Sequence, residues 1–94
     1  MHEKTRADFE AFTVEANTLC SYIDIRTDNN GPFIFAFGLK DTHSLQLRKL
    51  NMQYVLELWH GKNTEEEYIS EEISFLNSND AFSKAIWWLS KDAV

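Results

Sequence analysis

Between Phe33 and Leu39 the chain is apolar on both phases of a two-residue alternation. Phe33, Phe35, Phe37 and Leu39 occupy one phase, and Ile34 and Ala36 the other. Successive side chains of an extended strand point to opposite faces. A strand that is apolar on both faces belongs in the interior of a sheet, with a neighbour on each side. A chain of 94 residues is long enough for one such sheet and one modest core. Seven Phe, three Tyr and three Trp supply large apolar areas for that core.

The neighbours of this strand can be read on either side. Tyr22 to Thr27 alternates, with Ile23 and Ile25 against Asp24 and Arg26. It leads into Asp28-Asn29-Asn30-Gly31-Pro32, the strongest turn signal in the chain. After a second turn at Asp41-Thr42-His43-Ser44, Leu45 and Leu47 open a short strand that is expected to break near Arg48-Lys49. Met52 to His60 and Glu65 to Phe75 then form a hairpin joined by Gly61-Lys62-Asn63-Thr64. Loops of two or four residues there give one register, in which Trp59 faces Glu66, Glu57 faces Tyr68, Val55 faces Ser70 and Gln53 faces Glu72. Met52, Tyr54, Leu56, Leu58, Ile69 and Ile73 take the core side. Glu67 and Glu71 fall there too, which calls for a bulge or an edge position.

Helices are expected at both ends. From about Arg6 to Leu19, with Thr5 as cap, Phe9, Phe12, Ala16, Leu19 and Cys20 share one helical face. Ala7, Ala11 and Val14 make a smaller stripe almost opposite, suited to contact with the other helix. The second helix follows a cap at Ser78 or Asn79, with Asp80 favouring the N-terminal dipole. Ala81, Phe82, Ala85, Ile86, Trp88 and Leu89 form its apolar face, and Trp87 projects from the polar side. The expected fold is α+β: an antiparallel sheet of four or five strands with both helices packed on one face, residues 1–94 forming one domain.

Charge narrows the function. The net charge is −6, and residues 57–80 carry seven acidic residues against Lys62 alone. The rest of the chain is balanced, so the whole excess lies in that segment. Such a field repels nucleic acid and anionic lipid and attracts basic partners. It equally suits a solvated strand kept soluble by charge. The single cysteine, Cys20, rules out an intrachain disulfide and reads as a small buried hydrophobe. The opening residues lack the apolar stretch of a signal peptide, and no apolar run approaches the 20 or so residues of a spanning helix. The expectation is a complete small cytoplasmic protein.

No catalytic constellation stands out. CxxC pairs, HExxH and a glycine-rich phosphate loop are all absent from the sequence. His2, His43 and His60 read as surface or turn histidines. Acid–base chemistry of ribonuclease type would need His43 and His60 close together. The acidic run has neither the turn glycine nor the alternating oxygen ligands of a calcium loop. No cofactor or metal is therefore expected, and no enzyme. The outward hairpin face holds Glu57, Trp59, Glu66, Tyr68 and Glu72, two large aromatics among carboxylates. Tyr and Trp are enriched in binding hot spots, so this is the expected partner-binding surface. The competing reading is that a long loop or a second copy covers it.

Tyr54-Val55-Leu56-Glu57-Leu58-Trp59-His60-Gly61, Glu72-Ile73-Ser74-Phe75 and Asp80-Ala81-Phe82-Ser83-Lys84-Ala85-Ile86-Trp87-Trp88-Leu89 resemble small immunity proteins of bacterial contact-dependent growth inhibition systems. The resemblance covers about the C-terminal 40 residues and includes no catalytic signature. It implies a cytoplasmic antitoxin that binds a cognate toxin domain, often a nuclease with a basic cleft, as a monomer or weak dimer when free. The alternative class is a small structural or homo-oligomerisation domain. Light scattering separates the two.

Overall fold

The computed structural model describes residues 3–61 and 69–93. Helix α1 (Glu3–Ala16) runs through a short 3₁₀ turn (Asn17–Leu19) into five strands: β1 (Cys20–Asp28), β2 (Gly31–Gly38), β3 (His43–Leu50), β4 (Gln53–His60) and β5 (Ile69–Phe75). Helix α2 (Ser78–Ser90) and a 3₁₀ turn (Lys91–Ala93) follow. The strands form one antiparallel sheet in the order β1-β2-β3-β4-β5, a simple meander. The doubly apolar strand β2 is interior, as its pattern demands.

Both helices cover the same face. Phe9, Phe12 and Ala16 of α1 and Ala81, Ala85, Trp88 and Leu89 of α2 are buried against Ile34, Ala36, Leu45, Leu47, Tyr54, Leu56 and Leu58. The helices meet each other through Phe82, whose ring lies 4.8 Å from that of Phe12 and 6.2 Å from that of Phe9. The second stripe of α1 plays no part in this: Ala7 and Ala11 are exposed and Val14 is 78% exposed. Contact through the aromatic stripe leaves the opposite side of α1 to solvent. No helix among the described residues is long and apolar enough to cross a membrane.

Local differences from the sequence expectations have local causes. Helix α1 starts at Glu3, so Thr5 is a buried helical residue and not the cap. The cap of α2 is Asn77, whose side-chain oxygen accepts the Asp80 N–H at 2.9 Å, one residue before the expected pair. Strand β3 does not break at Arg48-Lys49 but runs unbroken to Leu50. It is held there by a two-residue turn in which Asn51 (φ 50°) and Met52 (φ 70°) both take positive φ. Asn tolerates that conformation and Met pays for it. Met52 is consequently 79% exposed at the turn instead of on the core side.

The β4–β5 hairpin slips along its axis. Val55 pairs with Ser74 rather than Ser70, and Glu57 with Glu72 rather than Tyr68. Phe75 thereby sits opposite Tyr54 and Ile73 opposite Leu56 on the helix side. Only Leu76 and Asn77 separate Phe75 from α2, so the docking of α2 sets how far β5 reaches along β4. A shift of four residues is even and preserves the faces. A bulge does interrupt the ladder, where Leu58 pairs with Glu71 and Trp59 with Ile69. Glu71 lies on the helix side by register but is exposed on the edge strand.

Candidate functional site

The sheet face away from the helices carries Tyr22, Asp24 and Arg26 of β1 and Phe33, Phe35 and Phe37 of β2. Ser44, Gln46 and Arg48 of β3, Val55, Glu57 and Trp59 of β4, and Glu72 and Ser74 of β5 complete it. Two of the expected partner-binding residues, Glu57 and Glu72, face one another directly across β4 and β5. Like charges in directly opposed positions cost folding energy. They line an open cleft of about 250 Å³ with Asp28, Gln46, Arg48 and Val55. The Arg48 guanidinium in this cleft donates to both carboxylate oxygens of Asp28, at 3.2 and 3.0 Å, and lies 4.5 Å over the Phe33 ring. Those hydrogen bonds, with that from the Asn30 backbone N–H, hold the Asp28 carboxyl below its usual range.

Trp59 shares this face, as its alternation requires, but it is not an exposed anchor: it is only 2% exposed. Ser44, a small and fully buried residue, stands directly opposite it on β3. The space beside so small a side chain admits the indole, which leans toward Phe35 on the next strand at 6.0 Å. The indole N–H is buried and finds no hydrogen-bond partner among the described residues. Trp59 therefore supports the face from within. Glu66 and Tyr68, the remaining expected residues, lie outside the described residues, as do Glu65, Glu67 and most of the expected hairpin loop.

A second cluster forms on the helix side, at the far end of β3 and β4, and brings together the two histidines that ribonuclease-type chemistry would need close. His43 and His60 are directly paired across the ladder, and their ring centres are 5.6 Å apart. Trp88 packs its ring 4.7 Å from His43 and 5.2 Å from His60, and donates its indole N–H to the Ser44 carbonyl at 2.9 Å. Asp92, 2% exposed, inserts from the C-terminal 3₁₀ turn. Its Oδ2 accepts the backbone N–H groups of Lys40, Thr42 and His43, and its Oδ1 accepts the Thr42 hydroxyl and lies 2.5 Å from His43 Nδ1. Burial pushes its pKa up, but the hydrogen bonds from Thr42, His43 and Lys40 outweigh that and hold it down at about 2. A Cβ on Gly38 would stand 2.4 Å from Asp92 Oδ2, so glycine is what lets the carboxylate reach the β2–β3 turn.

One signal for this cluster was present in the sequence. Asn51 is a residue that accepts positive φ, and a two-residue turn at 51–52 would have put His43 opposite His60. Asp92 carries no comparable signal. Cys20 matches its expectation: it is half-buried, and burial pushes its thiol up to about 11, far from a reactive thiolate. Among the described residues no group of three or more His, Cys, Asp or Glu side chains is placed to hold a metal ion.

No family model, no curated protein and no solved structure matches the chain.

Proposed function

We propose that the protein is an immunity protein: a cytoplasmic antitoxin that neutralises a cognate toxin domain by occlusion, with no chemistry of its own. The observation that carries the reading is the pairing of Glu57 with Glu72 on the sheet face that neither helix covers. Two carboxylates in opposed positions concentrate negative charge on that face, which attracts a basic partner. A nuclease is the toxin class that fits, because its cleft must already hold phosphates. The acidic segment around these residues would raise the association rate in the same way. Trp59 stiffens this surface from beneath.

The reading predicts a large effector reading frame beside the gene, and the test uses the C-terminal domain it would encode. That domain is expressed with this protein, and protection and binding are measured. A Glu57→Lys, Glu72→Lys double variant is expected to fold, by circular dichroism and melting, and to bind at least 100-fold more weakly. Charge reversals at the exposed Glu10 and Glu15 of α1 are expected to change neither. The association rate should fall as salt rises, since screening shortens to about 8 Å at physiological ionic strength. A folded double variant that protects fully removes the reading. A stable dimer by light scattering, with no binding to the adjacent domain, replaces it with the oligomerisation module.

A further inference from the structure

The histidine pair at the end of β3 and β4 takes no part in the proposed partner surface, which lies on the other side of the sheet. Its geometry is nonetheless specific. Imidazole nitrogens bind Zn²⁺ at about 2.0–2.1 Å. Adding the distance from ring centre to nitrogen, two imidazoles on one tetrahedral ion have ring centres roughly 5 Å apart. The rings of His43 and His60 are 5.6 Å apart, little more than half an ångström beyond that span. Directly opposed residues on an antiparallel ladder hold such a spacing without help from flexible loops.

The surroundings of His43 favour a ligand role over a merely packed one. Its Nδ1 faces two acceptors, Asp92 Oδ1 at 2.5 Å and Thr42 Oγ1 at 3.0 Å. The Thr42 hydroxyl proton is already committed to Asp92, and the Asp92 carboxylate acts as an acceptor throughout, taking the backbone N–H groups of Lys40, Thr42 and His43 as well. Nδ1 is therefore the protonated nitrogen, and the lone pair of the neutral ring sits on Nε2. A carboxylate that fixes the tautomer and orientation of an imidazole is the usual outer partner of a metal-binding histidine. Trp88, packed against both rings, limits their rotation. The His43 side chain is still 19% exposed and His60 is exposed, so an ion can reach both.

We propose that His43 and His60 bind a divalent transition-metal ion of the Zn²⁺ type, with Asp92 as the positioning carboxylate for His43. Two imidazoles leave coordination positions open, which suits water or a side chain supplied by a bound partner. The experiment is calorimetric titration of the full chain with Zn²⁺ alone. One site per chain is expected, and His60→Gln should weaken it at least 10-fold while leaving the melting curve in place. His2→Gln, which removes the third imidazole of the sequence, should leave the affinity unchanged. Asp92→Asn should lower the affinity about 10–100-fold, the usual loss for an outer-shell partner. If Asp92→Asn does not fold, His60→Gln decides alone. The proposal is overturned if the wild-type chain gives no saturable binding, or if His60→Gln binds Zn²⁺ as tightly as wild type.

Discussion

The two faces of the sheet solve the burial problem with different chemistry. The helix-covered face is mainly aliphatic: Ile34, Ala36, Leu45, Leu47, Leu56 and Leu58 are all fully buried beneath α1 and α2. The open face has no second layer of described elements, and its strands carry Phe33, Phe35, Phe37, Tyr22 and Trp59 instead. The rings shield one another along and across strands, Phe35 meeting Phe37 of its own strand edge-on at 5.2 Å and Trp59 of β4 at 6.0 Å. Guanidinium groups extend the cover, Arg26 lying 4.6 Å over Phe35 and Arg48 4.5 Å over Phe33. Aliphatic side chains need a partner layer to leave water, whereas aromatics topped by arginine stems can do so within a single layer.

The largest test of this comparison sets two tryptophans against each other. Trp88→Ala, on the helix side, should cost about 3–5 kcal/mol in denaturant melts. If the open face is a second small core, Trp59→Ala should fall in the same range. A loss below about 0.5 kcal/mol, normal for a surface site, would return Trp59 to the exposed-anchor role that the sequence suggested.

Next in size is the cap that Asp92 places on the β2–β3 turn. Asp92→Ala leaves several donors without their acceptor and should cost about 2–3 kcal/mol. Gly38→Ala, which drives a methyl into the same carboxylate, should cost about 1–3 kcal/mol. The folded pKa of Asp92, about 2, lies below its ordinary value of 3.8. Its contribution is thus complete above about pH 4 and is lost as the pH falls through 2. Urea melts from pH 5 to 2 should show that loss in the wild type, and Asp92→Asn should lack this component.

A finer distinction lies in the two indole N–H groups. Trp88 donates to Ser44, while Trp59 has a buried N–H without a partner among the described residues. Trp88→Phe loses a hydrogen bond and Trp59→Phe removes an orphan donor. The first should therefore be worse than the second by about 1–2 kcal/mol. Equal losses would mean that the Trp59 N–H is satisfied in solution. The smallest effect is expected at the acidic pair. Glu72→Gln should stabilise the chain by about 0.2–1 kcal/mol, since it lifts the opposition of like charges across β4 and β5, and it should weaken partner binding at the same time. Stabilisation with unchanged binding would detach the pair from the proposed surface.

The architecture was legible because each element repeats its own period. Phe33 to Leu39, Tyr22 to Thr27 and the apolar face of α2 state strand, strand and helix within a few residues each. Both Trp88 in the core and Trp87 outside it, 48% exposed with the Lys84 and Lys91 ammonium groups 3.8 and 4.2 Å from its ring centre, follow from helical phase alone. The face shared by Glu57 and Glu72 followed as well, since a four-residue slip keeps parity. Burial did not follow, because whether Trp59 is covered depends on Ser44 and Phe35, which belong to other strands.

By itself, then, the sequence determined which residues point together along each element, since alternation and helical phase are properties of the local backbone. It determined the α+β class and the concentration of negative charge in one segment. Tertiary structure alone decided the rest: how far β5 slides along β4, whether Trp59 is covered, and that His43, His60, Trp88 and Asp92 meet. Pairing free energy changes little when a ladder slips by an even step. The choice falls to contacts distant in sequence, here the docking of α2 directly after Phe75 and the reach of Asp92 past Gly38 to a turn some 50 residues earlier in the chain.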